Sequence, residues 1–176
     1  MVFACIVLAV VIVSLLALFY YALSTGAPPM PSSFGAARQI ASLVPHREEC
    51  TVYEVGAAWG HLAFPLALTH PKCTVRAIEI SPLPWLFMKV IEKLLFVRNM
   101  RIERRDMFDV SFRDAGAIVC YLHTELLNQL KPKLQDELRS GTLVVSNTYE
   151  IPGWTPLEVH FRDDSYCPQI YVYRVP

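Results

Sequence analysis

The apolar residues of this chain form one long uninterrupted run and then several short runs separated by polar turns. Residues 2–23 carry no charge, and about 22 residues are close to the roughly 20 that an α-helix needs to cross a bilayer's hydrocarbon core. Three aromatic residues at 19–21 lie at its downstream end, where such side chains favour the membrane interface. The pattern predicts a transmembrane anchor over residues 1–23 and, in "STGAPPMPSS", a linker over 24–33.

A cleaved signal peptide and a buried core helix are the other interpretations of this run. A signal peptide carries a basic segment, an apolar core of roughly 7–15 residues and a small-x-small cleavage site. Here no Lys or Arg precedes the run, the run is longer, and no such site precedes Pro28. A retained anchor is therefore favoured, and since Arg38 and Arg47 follow it, the positive-inside tendency predicts that the rest of the chain is cytoplasmic.

Beyond the linker, short apolar runs alternate with helical stretches, which predicts βαβ units and a parallel sheet. Ile40, Leu43 and Val44 have helical spacing in a first amphipathic helix that Ser32 or Ser33 can cap. Five strands follow in "TVYEV", "TVRAIEI", "MRIERRD", "GAIVCYL" and "GTLVVSN". "LEVHF" and "QIYVYRV" have no helix between them and predict an antiparallel hairpin. The fold class is therefore α/β, with seven strands, a mostly parallel sheet and an antiparallel C-terminal hairpin over residues 34–176.

Charge and cysteine content narrow the classes of partner. Lys and Arg together number 16, as do Asp and Glu, so the chain lacks the net positive charge that would favour a nucleic-acid partner. The five cysteines are odd in number, widely spaced and free of CxxC pairs, which predicts reduced thiols in a cytosol-facing domain and no zinc site. The histidines also lack metal-ligand spacing, so no metal is expected.

The segment "VYEVGAAWGH" is the first candidate binding site. After the first strand, Gly56 and Gly60 allow a tight turn, and the helix that starts near His61 presents free N–H groups. The GxGxxG pattern of a dinucleotide site is absent. Glu54 would repel a pyrophosphate but suits a cationic ammonium group. The loop therefore favours an amino-acid-like ligand.

Two further acidic residues follow the next two strands. Glu79 lies 19 residues beyond Gly60, near the spacing of roughly 20 at which a carboxylate accepts both ribose hydroxyls. Asp106 follows the third strand, where its side chain can reach an adenine amine, and Met107 can present a backbone N–H and an apolar flank. Together with Glu54 these residues are expected to surround one pocket.

These segments resemble, in their order, those of class I S-adenosylmethionine-dependent methyltransferases: "PMPSS", "VYEVGAAWGH", "AIEIS", "RRDMFD", "CYLHTELLNQLKPKLQDEL" and "SNTYEIPGW". The resemblance is closest to small membrane-anchored members related to the mitochondrial lysine methyltransferases of an ATP synthase subunit and of the adenine nucleotide translocase. It implies a Rossmann-like domain with S-adenosyl-L-methionine as cofactor. The cofactor-binding residues that it implies are Pro31, Ser32, Glu54, Gly56, Ala57, Gly60, Glu79, Asp106, Met107 and Tyr121.

The loop departs from the family at Ala58, where a middle glycine is usual, and at the bulky Trp59. A methyl group at position 58 is tolerable if its φ is negative. For catalysis we expect Tyr121, His123 and Trp154 to contribute to an aromatic channel for a lysine side chain, with His123 as a possible proton acceptor. For His123 a plain capping role, and for Tyr121 and Trp154 plain packing, are the alternatives.

The sequence thus predicts a membrane-anchored protein-lysine methyltransferase that acts on an integral membrane protein. A lipid or quinone headgroup methyltransferase needs the same anchor and remains an alternative. A non-catalytic scaffold with a decayed methyltransferase fold is a second alternative, and a dehydrogenase is a third. The expected location is a membrane, single-pass, with the domain on the cytoplasmic side; the family likeness also allows the mitochondrial inner membrane.

Overall fold

A computed structural model describes residues 2–25, 32–45, 50–163 and 167–175. Its helices and strands alternate as the sequence pattern predicts. In chain order they are α1 (Val2–Thr25), α2 (Phe34–Leu43), β1 (Thr51–Val55), α3 (Ala63–Thr69), β2 (Thr74–Glu79), α4 (Pro82–Leu94), β3 (Met100–Arg104), a 3₁₀ turn (Met107–Asp109), β4 (Ala115–Cys120), α5 (Thr124–Glu137), β5 (Leu143–Asn147), β6 (Glu158–Phe161) and β7 (Gln169–Arg174).

The seven strands form one sheet in the order β3-β2-β1-β4-β5-β7-β6. The first five are parallel, whereas β7 is antiparallel to both β5 and β6. This confirms the predicted mostly parallel sheet with an antiparallel C-terminal hairpin. The carboxyl ends of the five parallel strands meet at one edge of the sheet. The strand order reverses between β1 and β4, and ligands bind at such a switch point in open α/β sheets.

The sheet is covered on both faces, and side chains alternate between the two. One apolar cluster joins it to α2, α3 and the buried Met88 of α4, and the other joins it to α5 and to Phe112. Along β1, Val52 belongs to the first cluster, and Tyr53 and Val55 belong to the second. Glu54 has the same parity as Val52, so its carboxyl group points to the face where α3 begins.

The first helix is long and apolar enough over Val2–Tyr21 to cross a membrane, by length and composition only. It contacts α4. At its downstream end the Arg104 guanidinium donates a hydrogen bond to the Tyr21 hydroxyl, at 3.2 Å. The aromatic end of α1 therefore lies beside the carboxyl end of β3.

The local signals at the helix starts are partly confirmed. Ser33 caps α2, because its Oγ accepts a hydrogen bond from the Ala36 N–H at 3.1 Å. Ser81 precedes α4 with Pro82 in the first turn, as expected, but its side chain makes no capping bond.

The expectation of reduced thiols is wrong for two of the five cysteines, since Cys50 and Cys73 form a disulfide. Each directly precedes one of two paired strands, and the first residues of β1 and β2 are in register, so the two Cα atoms lie 4.6 Å apart. Their separation of 23 residues in sequence hides this proximity. Because disulfides are typical of oxidising compartments and of hyperthermophile proteins, cysteine usage does not support a cytosol-facing domain.

Candidate active site

The loop after β1 is held against the end of β2 by its own backbone. The N–H groups of Gly56 and Ala57 both donate to the Ile78 carbonyl, at 3.0 and 2.9 Å. Gly56 and Gly60 have φ values of +74° and +80°, which favour glycine. A Cβ atom at Gly60 would also lie 2.7 Å from the Phe64 ring. Both glycines are therefore required by the turn.

Ala58 lies between these glycines in the left-handed region, with φ of +46°. The condition under which its methyl group would be tolerated, a negative φ, is not met. An alanine in this conformation costs about 1–2 kcal/mol relative to a right-handed one. The Ala58 N–H donates to Glu79 Oε2 at 2.7 Å, and this bond helps to hold the strained residue in place.

We expect the Ala58→Gly variant to be more stable than the wild type by about 0.5–1 kcal/mol, because relief of the left-handed strain exceeds the added entropy of the unfolded chain. Thermal unfolding of the detergent-solubilised chain measures this. Gly60→Ala is the matched control and should unfold at a lower temperature, since its Cβ atom meets Phe64. An Ala58→Gly variant that is less stable than the wild type would contradict the strained conformation.

Glu79, at the end of β2, is only 6% exposed and uses both carboxylate oxygens. Oε2 accepts from Ala58, and Oε1 accepts from the Ser81 N–H at 2.7 Å. The carboxylate thus ties the glycine loop to the start of α4. A carboxylate has about four acceptor positions, so two remain for ligand hydroxyl groups.

Glu54, in β1, is 3% exposed, and its surroundings are different from those of Glu79. The backbone N–H groups of Leu62 and Ala63, at the start of α3, donate to its carboxylate. Its Oε2 atom is buried without a hydrogen-bond partner. Burial raises the pKa of Glu54 well above the usual 4.5, and the nearby charge of Glu79 adds to the rise. The carboxyl groups of Glu54 and Glu79 are therefore close enough to interact electrostatically.

This donor set fits the two ends of an amino-acid-linked nucleoside. An ammonium group is the natural partner for the unpaired oxygen of Glu54, since a buried carboxylate oxygen without a partner is costly. Glu79, with its remaining acceptor capacity, fits a pair of ribose hydroxyls. Among the described residues, no three His, Cys, Asp or Glu side chains gather where they could hold a metal ion.

The remaining predicted cofactor residues lie around this edge of the sheet. Asp106 follows β3 and caps the 3₁₀ turn, its Oδ1 accepting from the Phe108 N–H at 2.9 Å, and the half-buried Met107 is the first residue of that turn. Ser32 is 6% exposed and bonded to the end of β5, because its Oγ accepts from Asn147 Nδ2 at 3.1 Å. Pro31 lies outside the described residues.

Tyr121, directly after β4, forms an aromatic wall with Tyr149. Their rings are stacked, with centroids 6.3 Å apart and an interplanar angle of 26°. The Tyr121 hydroxyl interacts with the side chains of Thr148 and Cys167, and burial raises its pKa. Tyr149 is 38% exposed, so this wall opens to solvent and can face a substrate side chain.

The two other predicted catalytic residues are not joined to this wall. His123 is the N-cap residue of α5 but makes no side-chain capping bond, and its Nε2 is buried without a hydrogen-bond partner. Trp154 packs against Tyr173 with ring centroids 5.7 Å apart, in the cluster that includes α5. Tyr121 packs against the opposite cluster.

Asn147 is a further candidate site residue that the sequence pattern alone does not indicate. It is fully buried at the end of β5, donates to Ser32 and to Cys167 Sγ, and leaves Oδ1 without a partner. The next residue, Thr148, has φ of +69°, a rare conformation for a β-branched residue. The signal in the sequence is a polar residue that ends the apolar strand "LVVSN" at this edge of the sheet.

Sequence comparisons identify relatives of this chain. Residues 54–158 match the family model of the ANTKMT methyltransferase domain. A protein-lysine N-methyltransferase of Saccharolobus islandicus is 28% identical over 150 residues, which cover 84% of this chain and 93% of the relative. The adenine nucleotide translocase lysine N-methyltransferase of Mus musculus is 39% identical over 56 residues, 32% of this chain and 24% of the relative.

Solved structures share the fold. An RNA methyltransferase from Salinibacter ruber, in complex with S-adenosyl-L-homocysteine, has a TM-score of 0.76 and 23% identity, and the match covers 84% of this chain and 94% of that one. A tRNA methyltransferase from B. subtilis has a TM-score of 0.65 and 13% identity, over 84% of this chain and 68% of that one. With the family match over residues 54–158, this chain belongs to the ANTKMT methyltransferase family of class I S-adenosylmethionine-dependent methyltransferases.

Proposed function

We propose that this chain transfers a methyl group from S-adenosyl-L-methionine to a lysine side chain of a membrane protein. The observation that carries the cofactor assignment is the buried, unpaired Oε2 of Glu54 near the carboxylate of Glu79, whose two oxygens each accept one backbone hydrogen bond and keep further acceptor capacity. The lysine assignment is supported by the printed names of the two relatives, one of which spans most of this chain.

The residues that would hold the cofactor follow from the chemistry of each. Glu54 binds the ammonium group, Glu79 the ribose hydroxyls, and Asp106 with Met107 the adenine. When bound, the cofactor supplies an electrophilic methyl group on a sulfonium. Gly56 and Gly60 lack side chains, so the loop backbone can approach the methionine portion closely.

Catalysis would consist mainly of alignment and exclusion of water, since a sulfonium is already a good leaving group. The stacked rings of Tyr121 and Tyr149 offer π faces to a substrate ammonium group. A lysine must lose its proton before it can act as a nucleophile, and a desolvated channel lowers its pKa. The unpartnered Oδ1 of Asn147 is an acceptor at the same edge of the sheet.

The membrane assignment rests on α1. If Val2–Tyr21 spans the bilayer, the site is confined to a shell close to its surface, and membrane-embedded substrates gain a high effective concentration. Arg38, just beyond the anchor, favours a cytoplasmic domain by the positive-inside tendency, and the Cys50–Cys73 disulfide is the observation that opposes this orientation.

The test is transfer of radiolabelled methyl groups from S-adenosyl-L-methionine to isolated membranes by the purified full-length chain. We expect label in membrane protein that acid hydrolysis releases as methyllysine, and none with the Glu79→Ala variant. Label only in the lipid extract would replace the lysine assignment with a headgroup methyltransferase. In a parallel reaction with the soluble fraction, label in soluble proteins and none in membrane proteins would remove the membrane-substrate part alone.

A further inference from the structure

Helix α4 has two apolar sides, and the sheet covers only one of them. Pro84 and Met88 are buried toward the core. A second apolar stripe, which includes Phe87, Val90 and Leu94, is turned from the first by about a quarter of a revolution, given 3.6 residues per turn. We call the exposed residues the α4 outer face: Leu86 (52% exposed), Phe87 (44%), Val90 (49%), Leu94 (65%) and, just beyond the helix, Phe96 (81%).

This face continues onto the glycine loop. The indole of Trp59 contacts the Phe87 ring edge to face, with centroids 5.4 Å apart. These exposed fractions are those of the whole chain with α1 present. Although α1 contacts α4, it therefore leaves these side chains accessible to solvent. A contiguous exposed apolar patch of this kind marks an interaction surface.

Cationic residues surround the face. Residues 82–105 contain six Lys or Arg and two Glu, although the whole chain has equal numbers of both signs. Arg101, Arg104 and Arg105 are exposed on and just after β3, the terminal strand of the sheet, and Lys93 is exposed on α4. An apolar face bordered by cations is typical of segments that lie in the interface of a bilayer with anionic lipids.

The position of α1 indicates what binds to the α4 outer face. Tyr21 lies at the aromatic end of the apolar helix, which is the part expected at headgroup depth. Arg104 donates to Tyr21 and also to the Ile80 carbonyl at the end of β2, at 3.2 and 3.5 Å. The headgroup region at the end of the anchor is therefore next to α4 and to the binding edge of the sheet.

We propose that the α4 outer face, with Trp59, docks into the headgroup region of a bilayer containing anionic phospholipid. This inference rests on the proposed membrane anchor and goes beyond it, because an anchor alone would not fix the domain's orientation. Docking holds the glycine loop and the carboxyl ends of β2 and β3 at the membrane surface, where a membrane-protein substrate would be reached.

The test uses tryptophan fluorescence of the full chain in nanodiscs, with phosphatidylcholine and phosphatidylglycerol whose acyl chains are brominated or unmodified. The three tryptophans are Trp59, Trp85 and Trp154, and none lies in α1, so quenching by bromine reports on the domain and not on the anchor. We expect brominated lipid to reduce wild-type emission about twofold, as for indoles at the interface. The Leu86→Glu/Val90→Glu variant should lose most of this quenching.

The matched control is Leu157→Glu/Phe161→Glu, which changes two exposed apolar residues, 58% and 76% exposed, near β6 at the opposite edge of the sheet. It should be quenched like the wild type. Trp59→Phe removes the tryptophan that adjoins the α4 outer face, so much of the quenching should be lost. This result is independent of whether the α4 variant folds. Equal quenching in all variants, or none in an incorporated wild type, would overturn the proposal. A wild type that fails to enter nanodiscs would overturn the proposed membrane anchor as well. Methyl transfer to lysine is tested separately, by the radiolabel experiment.

Discussion

Replacing Glu79 with alanine is expected to weaken S-adenosylhomocysteine binding by at least about 100-fold, equivalent to about 2.7 kcal/mol. The variant removes the acceptor for two backbone N–H groups, those of Ala58 and Ser81, and the acceptor proposed for the ribose. Two unpaired N–H groups also reduce the free energy of unfolding by about 3 kcal/mol. Calorimetric titration at a temperature where circular dichroism shows the variant folded measures the affinity directly.

Two variants separate a binding role from general destabilisation. Glu79→Gln keeps one acceptor oxygen and should lose an intermediate part of the affinity. Glu103→Ala removes a carboxylate from the neighbouring strand β3, where it pairs with Arg76 at 2.6 Å, and should leave affinity unchanged. A folded Glu79→Ala variant that binds within threefold of the wild type would show that Glu79 only organises the loop.

The fold could be predicted from local patterns because each strand and helix of this chain has its own signal. The alternation of "TVYEV", "TVRAIEI" and their helices predicts parallel βαβ units, and the lack of a helix between the last two strands predicts the antiparallel pair. The proximity of the glycine loop, Glu54 and Glu79 could be predicted for a related reason. Parallel strands end at one edge, so residues that follow successive strands meet there.

What could not be predicted depends on contacts between distant residues or on exact backbone angles. Sequence gives no φ value, so it does not reveal the left-handed conformation of Ala58. The Cys50–Cys73 disulfide needs the register between β1 and β2, which no pattern within either strand contains. The buried bond of Asn147 to Ser32 joins residues 115 positions apart. The outer face of α4 is apolar in sequence, but which of its two sides the sheet covers is a property of the packing.

Cofactor binding is expected to release a proton from Glu54. Burial holds the pKa of this carboxyl group well above 4.5, so it is largely protonated in the free protein over part of the accessible pH range. An ammonium group beside Oε2 favours the ionised form. Below the raised pKa, affinity should therefore increase with pH by up to about tenfold per unit, and the observed binding enthalpy should vary with the ionisation enthalpy of the buffer.

The same shift determines how the stability of the free protein depends on pH. Because the folded-state pKa is above the unfolded value, the unfolded chain binds fewer protons between the two pKa values. The contribution of Glu54 to stability therefore falls as pH rises through this interval.

Glu54→Gln should remove this dependence, bind the cofactor about tenfold or more weakly and release no proton. It keeps an oxygen that can accept from Leu62 and Ala63, so α3 stays capped. If titrations of the wild type in phosphate and Tris gave the same enthalpy after correction for ligand ionisation, Glu54 would already be ionised in the free protein, and the unpaired oxygen would need another partner.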